Sequence, residues 1–171
     1  MFNIVCYVGL FGLLSGCTSV PYVQPPLRPD VSAQQSFILN AETQATPAAR
    51  QVLVTLRQMV QSGEIVRGGC WDYLQAGFTR AGFPETRRQQ VFKGDLKQGP
   101  YADPTMIMPG DWLYYVNHSY NDIEHSGVFV AWTDFYHRQA LVLSYAGEQR
   151  GEPGRYKVYD LSHVYQIIRV K

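Results

Sequence analysis

The chain of 171 residues carries 15 Lys plus Arg against 14 Asp plus Glu, a net charge of +1, so no strong field draws it to nucleic acid and no basic stripe is present. Its length suits one domain of ordinary size and not two. Twelve tyrosines and three tryptophans suit equally a strand-rich core and a groove that stacks on sugars or peptides.

The chain opens on MFNIVCYVGLFGLLSGC, an apolar run of the length that export signals use and too short to span a membrane. It ends in Leu14-Ser15-Gly16-Cys17, which resembles the lipobox of bacterial lipoproteins, although Met1-Phe2-Asn3 lacks the usual Lys or Arg. That resemblance implies residues 1–16 as signal peptide and Cys17 as the lipidated first residue of the mature chain; an ordinary signal cut without lipidation is the alternative. Several acyl chains anchor firmly, at about 0.8 kcal/mol per buried methylene. Thr18 stands where an aspartate tends to retain such lipoproteins at the inner membrane. The expected location is therefore the bacterial envelope, on the outer membrane facing the periplasm.

On this processing Cys6 leaves with the signal and Cys17 carries lipid, so Cys70 is the one free thiol, without a disulfide partner. An unpaired cysteine in an oxidising compartment is either a buried structural thiol or chemically useful.

Residues 17–45 are expected to be the lipidated cysteine and a flexible Pro-, Gln- and Ser-rich tether, with the domain at 46–171. Thr46-Pro47 supplies an N-cap and a first-position proline, and Val52, Leu53, Leu56, Met59 and Val60 fall on one helical face up to Gly63. A second helix starts near Cys70, with Trp71, Leu74, Phe78 and Ala81 at helical spacing and Gly82 and Pro84 as the stop. Residues 85–92, ETRRQQVF, extend as another short helical turn. Beyond a polar loop the period changes. Residues 112–116, 126–132, 141–145, 156–159 and 164–170 are β-branched and aromatic runs parted by turn residues, which predicts antiparallel strands. Helices followed by strands make an α+β fold.

Cys70 at a helix N-terminus would gain from the positive end of the dipole, and the free N–H groups there can hold an oxyanion. Gly68 and Gly69 leave the thiol uncrowded. Four histidines are candidate bases. His125 opens a strand whose alternation groups His125, Gly127, Phe129 and Ala131 on one face, and Ser126, Val128, Val130 and Trp132 on the other. A histidine at a strand start is more often a solvated edge residue; with a helix-capping free cysteine it becomes a candidate. His118 and His137 lie in polar turns expected to face water, and His163 opens the last strand without motif support. No His/Cys/Asp/Glu set shows zinc spacing, and no metal or cofactor is expected.

Taken in order, these segments resemble the NlpC-like murein endopeptidases, papain-like cysteine peptidases of the bacterial envelope. Cys70 on its helix, the continuation FTRAGF, Thr86 to Gln90, Met108-Pro109-Gly110-Asp111 with the strand to Tyr115, His125 to Val130, and Leu143-Ser144-Tyr145-Ala146 follow the family's order and spacing from about residue 48 onward. The resemblance implies a papain-like fold with the Cys70 helix packed on an antiparallel sheet, Cys70 as nucleophile, His125 as general base, and Tyr145 at the position that orients the imidazole. Ser144, the neighbouring candidate, is expected to aim at the opposite face. The implied substrate is an amide in the stem peptide of peptidoglycan, the D-glutamate to diamino acid bond above others, cut through a thioacyl-enzyme.

Trp71-Asp72 replaces the family's Ser-Gly pair. Trp71 reads as core packing or a substrate contact, and Asp72 as a first-turn carboxylate favoured by the dipole or as a partner for a substrate amine. Alternatives for the whole chain are a cysteine–histidine amidase on another bond, a transglutaminase-like acyltransferase suggested by Gly68-Gly69-Cys70-Trp71, and a catalytically silent wall-binding lipoprotein.

Overall fold

A computed structural model describes residues 31–171; the export signal and the lipidated Cys17 lie outside the described residues. Three helices, α1 (Val31–Gln44), α2 (Pro47–Gln61) and α3 (Cys70–Arg80), precede six strands: β1 (Arg88–Lys93), β2 (Trp112–Asn117), β3 (Ile123–Asp134), β4 (Gln139–Ser144), β5 (Arg155–Asp160) and β6 (Val164–Val170). The strands form one antiparallel sheet in the order β1-β6-β2-β3-β4-β5. The α+β expectation holds, with three N-terminal helices packed on the sheet. Among the described residues no helix is long and apolar enough to cross a membrane.

Helix α2 forms for the reasons its sequence suggests. Thr46 accepts from the Ala49 N–H at 3.3 Å, Pro47 opens the first turn, and Val52, Leu53, Leu56 and Met59 are buried. Helix α1 departs from expectation, because residues 31–44 fold rather than form part of a tether. Its buried stripe is narrow, Ile38 and Ala41 with Glu42. What fixes it is polar and distant in sequence: Arg57 forks onto the Glu42 carboxylate at 2.6 and 3.1 Å, and Arg50 donates to the carbonyls of Glu42 and Thr43 at the helix end.

Strand β1 is the second departure. Only Glu85–Arg87 make a helical turn, of 3₁₀ type, after which the chain pairs with β6 as an edge strand. Its residues, RQQVFK, show no clean alternation. Arg88 is nonetheless buried, its guanidinium over the rings of Phe78 and Trp112 at 5.0 and 5.4 Å.

Both faces of the sheet are covered. On the helical face Val128, Val130, Leu141, Leu143 and Trp112 meet Leu56, Leu74 and Phe78. On the other, Leu113, Tyr115, Phe129, Val142 and Ile167 pack beneath Ala102 and Ile107 of the segment before β2. That segment is held by the Pro109-Gly110-Asp111 turn. Buried Asp111 accepts from the Met108 N–H at 2.8 Å and from both ends of an Arg169 fork at 2.7 Å, while Arg169 also donates to the Met106 carbonyl. Gly110, at φ 90°, leaves no room for a side chain against Ala49, whose Cβ would lie 2.8 Å from an added Cβ. Asp111→Ala strands the Arg169 charge and is expected to cost about 3 kcal/mol in urea unfolding; Arg169→Met added to it is expected to recover most of that loss.

Candidate functional site

Cys70 is the first residue of α3, and Gly69 is its N-cap in extended conformation. The Asp72 carboxylate accepts from the Gly69 N–H at 2.8 Å, which closes the first turn. Gly68 has φ 104°, and a Cβ there would collide with the Asp72 carboxylate, so glycine at 68 is required by the cap itself. Two ties hold this entry loop against the end of β4. The Tyr145 hydroxyl donates to the Val66 carbonyl at 2.8 Å, and the Glu148 N–H donates to the Gly68 carbonyl at 2.9 Å. The thiol is partly buried and free.

The side chain hydrogen-bonded to that thiol is Ser126. Its hydroxyl, on a residue only 2 % exposed, donates to Cys70 Sγ at 3.4 Å. His125, the preceding residue, points from the other face of β3, paired across the strands with Tyr115 and flanked by the rings of Tyr115 and Tyr159 at 5.5 and 5.6 Å. The two faces meet round the strand ends, where Cys70, His125, Ser144, Tyr145 and Tyr159 line one open cavity of about 420 Å³. Cys70 and His125 therefore share a cavity, while no hydrogen bond joins them among the described residues. Gly127, on the same face as His125, leaves no open space there: a Cβ added to it would meet the Val142 side chain and the Leu143 carbonyl.

Tyr145, the candidate orienting residue, stacks on Tyr73 at 4.5 Å and spends its hydroxyl on Val66, so it positions the cysteine loop and has no hydrogen bond to His125. Ser144 aims at the opposite face, as alternation requires, and pairs with the Tyr159 hydroxyl at 2.8 Å. Trp71 is 49 % exposed, with its ring 6.2 Å from that of Trp112, so it is a groove wall more than a core residue. Asp72 is the cap partner described above.

Of the other histidines, His137 is paired with Asp134 in a turn at 2.6 Å. His118 and His163 contact each other at 2.8 Å, with Asp122 on the far nitrogen of His118 and Ser162 on His163. Among the described residues no group of three or more His, Cys, Asp or Glu side chains is placed to hold a metal ion.

Sequence reasoning missed Ser126, Tyr159 and the cationic wall of Arg150, Arg155 and Lys157. Strand β3 is apolar on both faces, so its alternation groups residues without saying which group the helices cover. The cations sit on β5 and the turn before it, far from Cys70 in sequence.

Comparison with family models, with curated proteins and with solved structures finds no match to this chain.

Burial pushes the His125 imidazole down to about 4, with Arg155 and then Lys157 adding to the shift. Burial likewise raises the Tyr114 phenol to about 12 and lifts the Tyr115 phenol well above its ordinary value. His125 is thus neutral at neutral pH, as a general base must be before it acts. Between its ordinary 6.5 and about 4, the unfolded chain takes up a proton that the folded chain refuses, so stability is lost as pH falls through that window. His125→Gln is expected to show a smaller drop in urea midpoint than the wild type between about pH 7 and about pH 5. Arg155→Met with Lys157→Met is expected to raise the His125 titration seen by NMR.

Proposed function

We propose that this chain is a thiol-dependent hydrolase of the NlpC-like kind, cutting an amide in the stem peptide of peptidoglycan, with the Cys17 anchor holding it in the envelope. The observation that carries this reading is the partly buried Cys70 at the N-terminus of α3 sharing a cavity with a neutral, partly buried His125.

In the reaction His125 takes the Cys70 thiol proton as sulfur bonds to the amide carbon. The tetrahedral oxyanion lies near the free N–H groups of the first turn of α3. The C–N bond then breaks as the imidazolium protonates the leaving amine, and water, deprotonated by His125, hydrolyses the thioester. The imidazole must close on the thiol when substrate binds, and catalytic hydrogen bonds often tighten only then. The wall of Arg150, Arg155 and Lys157 suits the carboxylates of a stem peptide.

A second reading, a catalytically silent wall-binding lipoprotein, is favoured by one feature: Ser126 rather than His125 holds the thiol. The two part on one experiment. Purified muropeptides incubated with the protein are expected to yield new products by mass spectrometry, lost in Cys70→Ala and His125→Ala variants of unchanged circular dichroism. The masses identify the bond. No product across several wall chemistries, with Cys70 unlabelled by a thiol reagent, would establish the silent reading.

A further inference from the structure

On the other side of Trp71 from the cysteine cavity, a second open groove of about 410 Å³ runs between α3 and strands β1, β6 and β2. We propose that it binds a neutral N-acetylated sugar, the glycan portion of the wall polymer whose peptide the Cys70 cavity takes; the sugar's identity rests on the reading above.

Aromatic and amide groups make up most of the groove. Half-exposed Trp71 and partly buried Tyr114 face the groove, with buried Trp112 behind them, stacked on Tyr114 at 5.8 Å and 8° and 6.2 Å from the Trp71 ring. Flat aromatic surface of this kind accepts the C–H face of a pyranose ring. The groove is also lined by Gln89, Gln90 and Gln166, whose amides carry donors and acceptors. Gln166 donates to Gln90 at 3.3 Å, which leaves Gln90 Nε2 and Gln166 Oε1 without a protein partner among the described residues. An N-acetyl group presents the complementary N–H and carbonyl.

Charge separates this groove from its neighbour. The groove sets one cation against one anion: Arg88, buried between rings and tied to Gln75 and the Phe83 carbonyl, and exposed Glu85. The cysteine cavity carries Arg150, Arg155 and Lys157. A charged peptide suits the cavity, and a neutral sugar suits the groove.

The groove also ends at the right place. Trp71 follows Cys70 directly, and Tyr114 pairs across the sheet with Ser126, the residue on the thiol. A sugar seated against Trp71 would hold its attached peptide near Cys70.

The probe is the β-1,4-linked tetramer of N-acetylglucosamine, which contains no peptide, added to the full chain in a detergent without a sugar headgroup. Saturation-transfer NMR and calorimetry are expected to show binding that Cys70→Ala and the remote Tyr136→Ala leave unchanged. Trp71→Ala is expected to weaken it about tenfold or more at unchanged thermal unfolding, the loss of one stacking contact and its buried area. Cellotetraose, which lacks the N-acetyl groups, is expected to bind more weakly than the probe. No transfer at millimolar probe, or full binding by Trp71→Ala, would overturn the site; equal binding of cellotetraose would overturn the N-acetyl assignment. Because the probe has no amide of the stem peptide, its failure bears on the groove, whereas failure of muropeptide cleavage bears on Cys70.

Discussion

The position of Cys70 depends on one small constraint, the closure of the first turn of α3 by the Asp72 carboxylate on the Gly69 N–H. That closure crowds out any side chain at Gly68 and sets where the helix begins. The entry loop is then pinned to the end of β4 by Tyr145 on Val66 and by Glu148 on Gly68. The thiol is therefore presented at a junction of helix and sheet that is tied from both sides, and its surroundings follow from which strand ends reach that junction.

Strand β3 reaches it with two adjacent residues of opposite direction. Ser126 meets the thiol from the helical face, and His125 enters the same cavity from the other face, between Tyr115 and Tyr159. The sheet can offer both because both of its faces are covered, one by the helices and one by the segment held through Asp111 and Arg169. Packing between the Tyr115 and Tyr159 rings on the second face, with Arg155 and Lys157 nearby, keeps His125 partly buried and neutral. Trp71 and Asp72 play separate parts: Asp72 caps the helix, and Trp71 walls a groove whose polarity differs from that of the cysteine cavity.

Long periodic segments were legible from the sequence because local geometry decides them. The spans of α2 and α3 and of strands β2 to β6 follow from the spacing of apolar residues and the turn residues between them. Segments whose order comes from distant partners were not. Helix α1 is held by Glu42 on Arg57 across 15 residues, and β1 by pairing with β6 and by Arg88 lying over Trp112. Neither leaves a stripe in its own residues.

The same division applies at the site. Sequence alone determined that Cys70 begins a helix behind two glycines and that Ser126 and His125 face opposite ways on one strand, since cap chemistry and the two-residue period of a strand are local; the strand itself starts two residues before His125, at Ile123. Only the tertiary structure decided which of those faces the helices cover, and so which side chain meets the thiol. It also brought Tyr159 and the cations of β5 and its preceding turn into the cavity. An apolar residue records burial but not the identity of what buries it, and β3 is apolar on both sides.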